Sequence, residues 1–104
     1  MTYQDSLTAL ADPTRRSIFE ALVRESQPVG ALTMAAGVSR PAVSQHLKVL
    51  KEAGLVVAKP MGTSNIYYAQ QQGLEPLRRY LDELWEDVLG AFAEEIEREN
   101  KDGD

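Results

Sequence analysis

The stretch GVSRPAVSQHLKVLKEAG, residues 37–54, decides the fold because it carries both a start signal and a stop signal for one helix. Ser39 is a favoured N-cap residue, and Pro41 lies in the first helical turn, where its missing N–H costs nothing. Gly54 comes just after the last apolar position and suits a left-handed C-terminal cap. The stretch therefore predicts a helix that begins after Ser39 and ends before Gly54.

This predicted helix has one apolar side and one polar side. Val43, Leu47 and Leu50 recur at i, i+4 and i+7, which places them on one stripe that faces a core. At about 100° per residue, the opposite side carries hydroxyl, amide and basic groups, which suit the base edges and phosphates of a DNA major groove. A solvated surface helix would show the same pattern. The candidate DNA contacts are Ser39, Arg40, Ser44, Gln45, His46 and Lys48.

Length and composition set the outer limits. With 104 residues, 43% hydrophobic and 26% charged, the chain is typical of a globular protein, and we expect one domain over residues 1–104. No apolar run approaches the roughly 18 residues that a membrane span needs, and the N-terminus does not resemble a signal peptide. The absence of cysteine excludes disulfides, thiol redox switches and thiolate metal sites. We therefore expect a cytoplasmic protein that does not contact a membrane.

The net charge of −5 is unevenly distributed along the chain. Seven basic and three acidic residues lie between Arg15 and Lys59, a balance of +4, whereas residues 70–104 hold four basic and eleven acidic residues, a balance of −7. A basic middle and an acidic C-terminal part are compatible with one surface that faces DNA and another that faces away from it.

Three helices are predicted before the Ser39 helix. Residues 2–10 form a short amphipathic helix, and Asp12 as an N-cap with Pro13 behind it starts a second helix. Residues 29–36 form a third helix that Gly37 ends, so a tight turn joins it to the Ser39 helix, and a helix-turn-helix spans about residues 29–53. The apolar positions of the first two helices are Tyr3, Leu7 and Leu10, then Ile18, Phe19 and Leu22, with Arg15 and Arg16 projecting elsewhere.

After Gly54 the hydrophobic period changes. Residues 55–58 and 66–69 are short β-branched and aromatic runs on either side of the segment PMGTSN, and they predict a two-stranded hairpin, or wing, over about residues 55–69. Its loop is expected to be too long for a tight two-residue turn. The predicted fold is mainly α with a small β-hairpin.

From Leu74 the helical period returns for the longest element, predicted over about residues 74–98, with a charged tail that frays from Glu97 onward. Its apolar stripe is too wide for so small a domain to hide, so pairing with a second copy is favoured over a helix folded back on its own core. Trp85 and Phe92 are interpreted as packing residues rather than as a ligand site. The predicted dimer interface comprises Tyr3, Leu7, Leu77, Leu81, Leu84, Trp85, Val88 and Phe92.

Three segments carry a resemblance to a known family. The segments ALADPTRRSIFEAL (residues 9–22) and SRPAVSQHLKVLKEAGLV (39–56), and the IYY after the hairpin turn, resemble the ArsR-type family of bacterial transcriptional repressors. The resemblance implies a winged helix-turn-helix with N- and C-terminal dimerisation helices. It also implies a homodimer that binds double-stranded DNA at a palindromic operator, with the Ser39 helix in the major groove. The alternative from another class is a winged-helix protein-interaction module that does not read DNA sequence. We do not expect an enzyme.

The sequence departs from the metal and thiol sensors of that family. The resemblance implies that metal sensors of the family bind metals in one of two places. One is a pair of cysteines in the helix before the recognition helix, which is the Ser39 helix in this chain. The other is a set of His and acidic residues on the terminal helix. Here the former helix reads VGALTMAA, and His46 is the single histidine. The chain is therefore similar to an autorepressor-like branch without a metal or thiol sensor. We expect no metal site and no cofactor, and the resemblance assigns no small-molecule inducer.

The predicted wing departs from the family as well. Relatives usually carry arginines near the wing tip, whereas this tip reads MGTSN. Insertion of arginine into the minor groove is therefore not expected, and the polar wing residues are weaker candidates that hydrogen-bond phosphate oxygens. These wing candidates are Lys59, Thr63, Ser64 and Asn65.

Individual residues of the recognition helix have different expected roles. Gln45 is the best placed for a bidentate contact with an adenine edge, and Arg40 for guanine or a phosphate. Ser44 and Lys48 are expected beside phosphates or bases. His46 lies about 60° from the apolar stripe, so half-buried packing and a phosphate contact both remain open.

Overall fold

The computed structural model describes the backbone of residues 2–102 and the side chains of residues 2–100. Helices α1 to α4 and a small antiparallel sheet surround one core, and a long helix, α5, continues away from it. The chain extends 73 Å along its longest axis but only 24 and 20 Å across. The elements are α1 (Tyr3–Ala11), α2 (Pro13–Arg24), β1 (Gln27–Pro28), α3 (Val29–Ala36), α4 (Arg40–Glu52), β2 (Val56–Met61), β3 (Ser64–Ala69), a 3₁₀ turn (Gln71–Gly73) and α5 (Glu75–Asp102).

The corner between α1 and α2 is held by side chains that satisfy both helix ends. The Asp12 carboxylate accepts a hydrogen bond from the backbone N–H of Arg15 (2.9 Å), which caps α2 as predicted. The Arg15 guanidinium turns back and donates from Nε to the carbonyl of Ala9 (2.6 Å), and Arg16 donates to the carbonyl of Leu10 (3.0 Å). The terminal carbonyls of α1 would otherwise lack partners, so these two arginines stabilise the end of that helix.

The inward face of α1 differs from the predicted stripe. Ser6 and Ala9 are buried, whereas Leu7, which was predicted to share a stripe with Tyr3 and Leu10, is 44% exposed. The prediction missed Ser6 because a hydroxyl is buried only when it finds a hydrogen-bond partner, and periodicity does not reveal that partner. Here the Ser6 hydroxyl donates to the carbonyl of Gly73, which lies 67 residues away in the chain.

A second contact joins α1 to the start of α5. The rings of Tyr3 and Tyr80 stack with their centroids 4.1 Å apart and their planes 8° from parallel. Aromatic stacking of this kind is worth roughly 0.5–1.5 kcal/mol beyond the area it buries. Together with the Ser6 hydrogen bond, the stack fixes the base of α5 on the body of the domain.

The core lies where α2, α3 and α4 meet the sheet. It contains the apolar residues predicted for the recognition helix and for α2, and all of them are at most 6% exposed. Val29 and Ala36 of α3 are partly buried against it. The buried hydrophobic residues are Ala9, Ile18, Phe19, Leu22, Leu32, Val43, Leu47, Leu50, Ala53, Leu55 and Val56.

The sheet has three strands rather than the predicted two. Its order is β1-β3-β2, and the short β1 pairs antiparallel with β3, Gln27 opposite Tyr67 and Pro28 opposite Ile66. Gln27 and Pro28 were expected only to break the chain after α2. A two-residue strand has no alternating pattern, so the sequence carries no signal for it.

The prediction of a long hairpin loop is wrong. Strand β2 continues through Pro60 and Met61, which pair with Asn65 and Ser64, so only Gly62 and Thr63 form the loop. Gly62 has φ +64°. Thr63 has a negative φ, because every described residue with a positive φ is a glycine. A positive φ at the first loop position alone is the pattern of a type II′ turn.

Helix α5 begins at Glu75 and continues to Asp102, past the predicted end near residue 98. The part of the predicted frayed tail from residue 97 to residue 102 is therefore helical, and residues 103–104 lie outside the described residues. Leu74 packs against the core, and Leu77 is half-buried. Beyond Tyr80 the helix does not fold back on its own core, so that alternative is wrong. Among the described residues, no helix is both long and apolar enough to cross a membrane. The exposed apolar residues of α5 are Leu81, Leu84, Trp85, Val88, Leu89, Phe92 and Ile96.

The Asp12 cap predicts an acid-dependent contribution to stability. The hydrogen bond from the Arg15 backbone N–H is the main reason why the pKa of Asp12 lies below its ordinary value of 3.8. A lowered folded-state pKa stabilises the fold fully above the unfolded-state pKa, and this contribution is lost as the pH falls through the folded-state pKa. Asp12→Ala should therefore lower Tm at neutral pH, and the difference from wild type should shrink below about pH 4.

Thermal unfolding followed by circular dichroism between about pH 7 and pH 2.5 measures this difference. Glu83→Ala, which removes an exposed carboxylate in the middle of α5, is the matched control and should show almost no difference at any pH. A gap between wild type and Asp12→Ala that stays constant with pH would show that the carboxylate charge does not stabilise the corner.

Candidate nucleic-acid interface

The beginning of α4 is determined by two residues. Gly37 ends α3 with φ +67°, a backbone conformation that side chains with a Cβ rarely adopt. The Ser39 hydroxyl then accepts a hydrogen bond from the backbone N–H of Ala42 (3.3 Å), which caps α4, and Pro41 lies in its first turn. The two predicted start signals, the Ser39 N-cap and Pro41 in the first turn, are confirmed.

The end of α4 is a Schellman motif built on Gly54. The N–H of Leu55 donates to the carbonyl of Leu50 (2.9 Å), and the N–H of Gly54 donates to the carbonyl of Lys51 (3.0 Å). Gly54 has φ +74°, as the predicted left-handed cap requires. Gly73 packs so closely here that a Cβ on it would lie 2.5 Å from the carbonyl carbon of Gly54. The end of the recognition helix is therefore locked against the turn that precedes α5.

Between these ends α4 has the two predicted sides. Val43, Leu47 and Leu50 are at most 2% exposed, so the buried stripe is confirmed. All predicted DNA-contact residues of α4 except His46 have exposed side chains: Ser39, Arg40, Ser44, Gln45 and Lys48.

His46 lies at the boundary between the two sides of α4. It is half-buried, and its Nδ1 atom is buried without a hydrogen-bond partner among the described residues. The ring lies close enough to Asp12 to contribute, after the Arg15 hydrogen bond, to the lowered pKa of that carboxyl. Of the two alternatives for His46, half-buried packing is the one that the geometry favours, and Nδ1 is inaccessible to a phosphate.

A cleft of about 480 Å³ separates α4 from the wing and brings the two sets of candidate residues together. Its walls come from α4, from the wing tip and from the start of α3. The start of α3 was not predicted as part of a site. Its N-cap residue is Pro28, which has no side-chain hydrogen-bonding group, so no side chain caps the first N–H groups. The lining residues are Pro28, Val29, Gly30, Arg40, Ser44, Thr63, Ser64, Asn65 and Tyr67.

Some of the basic side chains between Arg15 and Lys59 contact other groups of the domain. Arg16 lies 3.8 Å from Glu20, and Lys59 has its Nζ 5.1 Å from the ring centroid of Tyr68. Among the described side chains, neither Arg40 nor Lys48 forms a salt bridge. Arg40 and Lys48, together with the likewise exposed Lys51 in the last turn, supply the positive charge of α4. Lys59 is held at the base of the wing by its cation–π contact.

Comparisons with known proteins agree with this geometry. A family model described as a helix-turn-helix domain matches residues 10–57. The HTH-type transcriptional regulator Rv2034 of Mycobacterium tuberculosis is 49% identical over 94 residues, which are 90% of this chain and 88% of that relative. The solved structure of an ArsR-like transcriptional regulator from Rhodococcus sp. RHA1 is 30% identical, with a TM-score of 0.74 over 88% of this chain and 90% of the other.

The chain belongs to the ArsR-type family. A further neighbour, described as a possible ArsR-family transcriptional regulator, is the solution structure of a homodimeric winged helix-turn-helix DNA-binding domain from Mycobacterium bovis. It is 27% identical to this chain, with a TM-score of 0.65 over 83% of this chain and 80% of the other. The fold class predicted from the sequence, a mainly α winged helix-turn-helix, is confirmed.

The metal-sensing sites of ArsR-type proteins need clusters of ligating side chains. Within residues 2–100, whose side chains are described, no group of three or more His, Cys, Asp or Glu is placed to bind one metal ion. The chain also contains no cysteine and a single histidine, whose Nδ1 is buried. The acidic residues of α5 are dispersed along it, and carboxylates alone bind hard cations weakly when they are not gathered into a cage.

We accordingly expect that zinc does not regulate this ArsR-type chain. Isothermal titration calorimetry with zinc chloride should detect no site of micromolar or tighter affinity. DNA affinity should be the same with zinc and with a chelator. Tight zinc binding that releases DNA would contradict the prediction.

Proposed function

We propose that the chain is a dimeric, sequence-specific DNA-binding repressor. The observation that carries the proposal is the cleft between α4 and the wing, where Arg40 and Ser44 face the hydroxyl and amide groups of Thr63, Ser64 and Asn65. One capped, rigid helix with an exposed polar face lies beside a projecting hairpin, and both present groups that bind DNA bases and phosphates.

Each side chain on the outer face of α4 has a proposed role. Gln45 reads an adenine edge, because its amide has one donor and one acceptor in the right spacing. Arg40, in the first turn, binds guanine or a phosphate, and Lys48 binds a phosphate as a point charge. Ser44 and the wing hydroxyls hydrogen-bond backbone oxygens, which sets the register of the protein on the duplex.

The proposed dimer interface is the exposed apolar face of α5, extended by Leu7 of α1. Seven large apolar side chains of α5 are each at least 41% exposed in one chain. Burying one such side chain fully stabilises an assembly by roughly 1.5–3 kcal/mol, so even partial burial of the face favours pairing. The neighbour from Mycobacterium bovis is described as homodimeric, which supports a dimer. Tyr3, which the sequence assigned to the interface, stacks on Tyr80 of its own chain. Its proposed role is therefore indirect: it fixes the base of α5.

A two-fold dimer presents two α4 helices to one face of the duplex. Their expected separation is roughly 34 Å, so the proposed operator is an inverted repeat with half-sites about 10 bp apart, centre to centre. A dimer bound there covers promoter DNA, and repression is the direct consequence of excluding other proteins from it.

The first test of the proposal concerns the dimer. Leu84→Glu combined with Val88→Glu places two charges in the centre of the apolar face, so it should produce a monomer by light scattering and abolish operator binding. Gly90→Glu adds a single charge at an exposed position on the opposite side of the helix from that face, and a Cβ at Gly90 meets nothing within 4 Å. This control should remain dimeric. A wild-type protein of monomer mass at micromolar concentration would refute the proposed dimer.

The second test concerns the reading of DNA. Gln45→Ala should weaken binding to the operator by about 1–3 kcal/mol and relax the preference at one base pair per half-site. Lys48→Ala should instead weaken operator and random DNA nearly equally and reduce the salt slope by about one unit per subunit. Arg79→Ala, which removes an exposed cation from α5, should change neither quantity.

Titration of fluorescent duplexes from the protein's own promoter region, at low and moderate salt, measures these effects. Equal weakening of operator and random DNA by Gln45→Ala would show that this residue does not read bases. If neither Gln45→Ala nor Lys48→Ala changes binding, the DNA surface lies elsewhere. The alternative reading as a protein-interaction module would then be favoured.

A further inference from the structure

The wing tip projects from the domain without any charged residue. From Lys59 to Asn65 every side chain is exposed, and the segment from Pro60 to Ala69 contains no acidic or basic residue. Strands rise about 3.3 Å per residue, so the tip extends roughly 10 Å beyond the partly buried Ala58. A hairpin that reaches this far without a cation must contact its target by hydrogen bonds and apolar groups.

The tip has one apolar edge and one polar edge. Pro60 and Met61 end β2, and Thr63, Ser64 and Asn65 lie across the turn from them. The polar residues line the cleft that faces α4, whereas neither Pro60 nor Met61 lines it. Because β2 is the outer strand of the sheet, the apolar edge lies on the outer side of the wing.

Met61 is held at a defined place on that edge. It pairs with Ser64 in the last rung of the ladder, and the two-residue turn at Gly62 leaves no slack between the strands. Its side chain is nevertheless 63% exposed. Single exposed apolar side chains are common on protein surfaces, so it is the position of Met61 that singles it out. It lies at the far end of the wing, across the turn from Thr63, Ser64 and Asn65, which line the proposed DNA-binding cleft.

We propose that Met61 enters the minor groove beside each half-site as an uncharged wedge. The inference rests on the proposed function, in which α4 reads base edges in the major groove and the wing hydroxyls bind the adjoining backbone. A hairpin that projects past that backbone next meets the neighbouring minor groove. Proteins that bind this groove insert apolar side chains, methionine among them, between base steps and partly unstack them. The unbranched methionine side chain is slender and adaptable enough for a groove about 6 Å wide.

The wedge gives the wing a specificity that charge does not supply. Pyrimidine–purine steps such as TA unstack most easily, so an apolar wedge selects them through their deformability, without hydrogen bonds to bases. It also displaces no counterion, so its contribution to affinity does not fall with salt as a lysine or arginine contact does. The polar edge, with Thr63, Ser64 and Asn65, holds the adjoining phosphates while Met61 occupies the step.

The test uses the duplex that the full-length wild-type protein selects most strongly from a random-sequence pool. Met61→Ala removes Cγ, Sδ and Cε, and it should weaken binding to this duplex about four- to fifteenfold, the effect of losing apolar burial equivalent to one or two methylene groups. The salt slope should not change. Met61→Arg should raise the salt slope by about one unit per subunit. Met34→Ala is the matched control, because Met34 is 88% exposed on α3 and distant from the wing in sequence, and binding should stay within about twofold of wild type.

A second readout separates the wedge from a merely structural role of Met61. Selection with the wild-type chain should enrich flexible pyrimidine–purine steps under the wing, and selection with Met61→Ala should lose that enrichment while keeping the preference under α4. Unchanged affinity and unchanged step preference with Met61→Ala would overturn the inference, as would equal losses with Met34→Ala. If Gln45→Ala weakens binding and Met61→Ala does not, the inference about Met61 is wrong but the proposed function stands. If neither does, the proposed function fails as well.

Discussion

Water contacts seven large apolar side chains along α5, from Leu81 to Ile96, and no element within residues 2–102 covers them. A helix with such a face is stable only when another surface removes it from water, because tertiary burial rather than helix propensity supplies most helical stability. The proposed second copy supplies that surface. On this account, the 28 residues of α5 both hold the dimer together and set the distance between its two DNA-binding faces.

A continuous series of contacts connects this helix to the recognition helix. Tyr80 at the base of α5 stacks on Tyr3 of α1, and Arg15 of α2 donates to the last turn of α1. Helix α2 then packs on the buried face of α4 within the core. The end of α4 is fixed directly to the base of α5, where Gly73 donates from its N–H to the carbonyl of Gly54 (2.8 Å). In the proposed dimer, these contacts would transmit the arrangement of the two α5 helices to the two α4 helices.

The recognition helix was predictable because its signals are local. Ser39, Pro41 and Gly54 act within a few residues of their own positions, and the period of Val43, Leu47 and Leu50 needs no information from the rest of the chain. The same holds for the Asp12 cap. The exposed face of α4 was predictable as well, because the buried stripe of a helix determines which residues lie on its opposite side.

Features that depend on distant partners were missed. Strand β1 exists only because β3 lies beside it, and the burial of Ser6 depends on a carbonyl in the turn before α5. The residues Pro60 and Met61 read as loop because proline and glycine mark turns, although an edge strand tolerates proline where no ladder N–H is needed. The cleft was likewise not predictable, since the start of α3 and the wing tip are more than thirty residues apart in the sequence.

The most direct test of the central claim, that α5 pairs two copies so that their recognition helices match successive grooves, is a distance between the two α4 helices. The chain has no cysteine, so Ser44→Cys carries a single nitroxide label on the exposed face of each α4. Double electron–electron resonance on the free protein should give one narrow distance near 34 Å, within the reach of the labels, because that is one turn of DNA. Absence of dipolar coupling, or a distance below about 20 Å, which is far less than one DNA turn, would contradict the account.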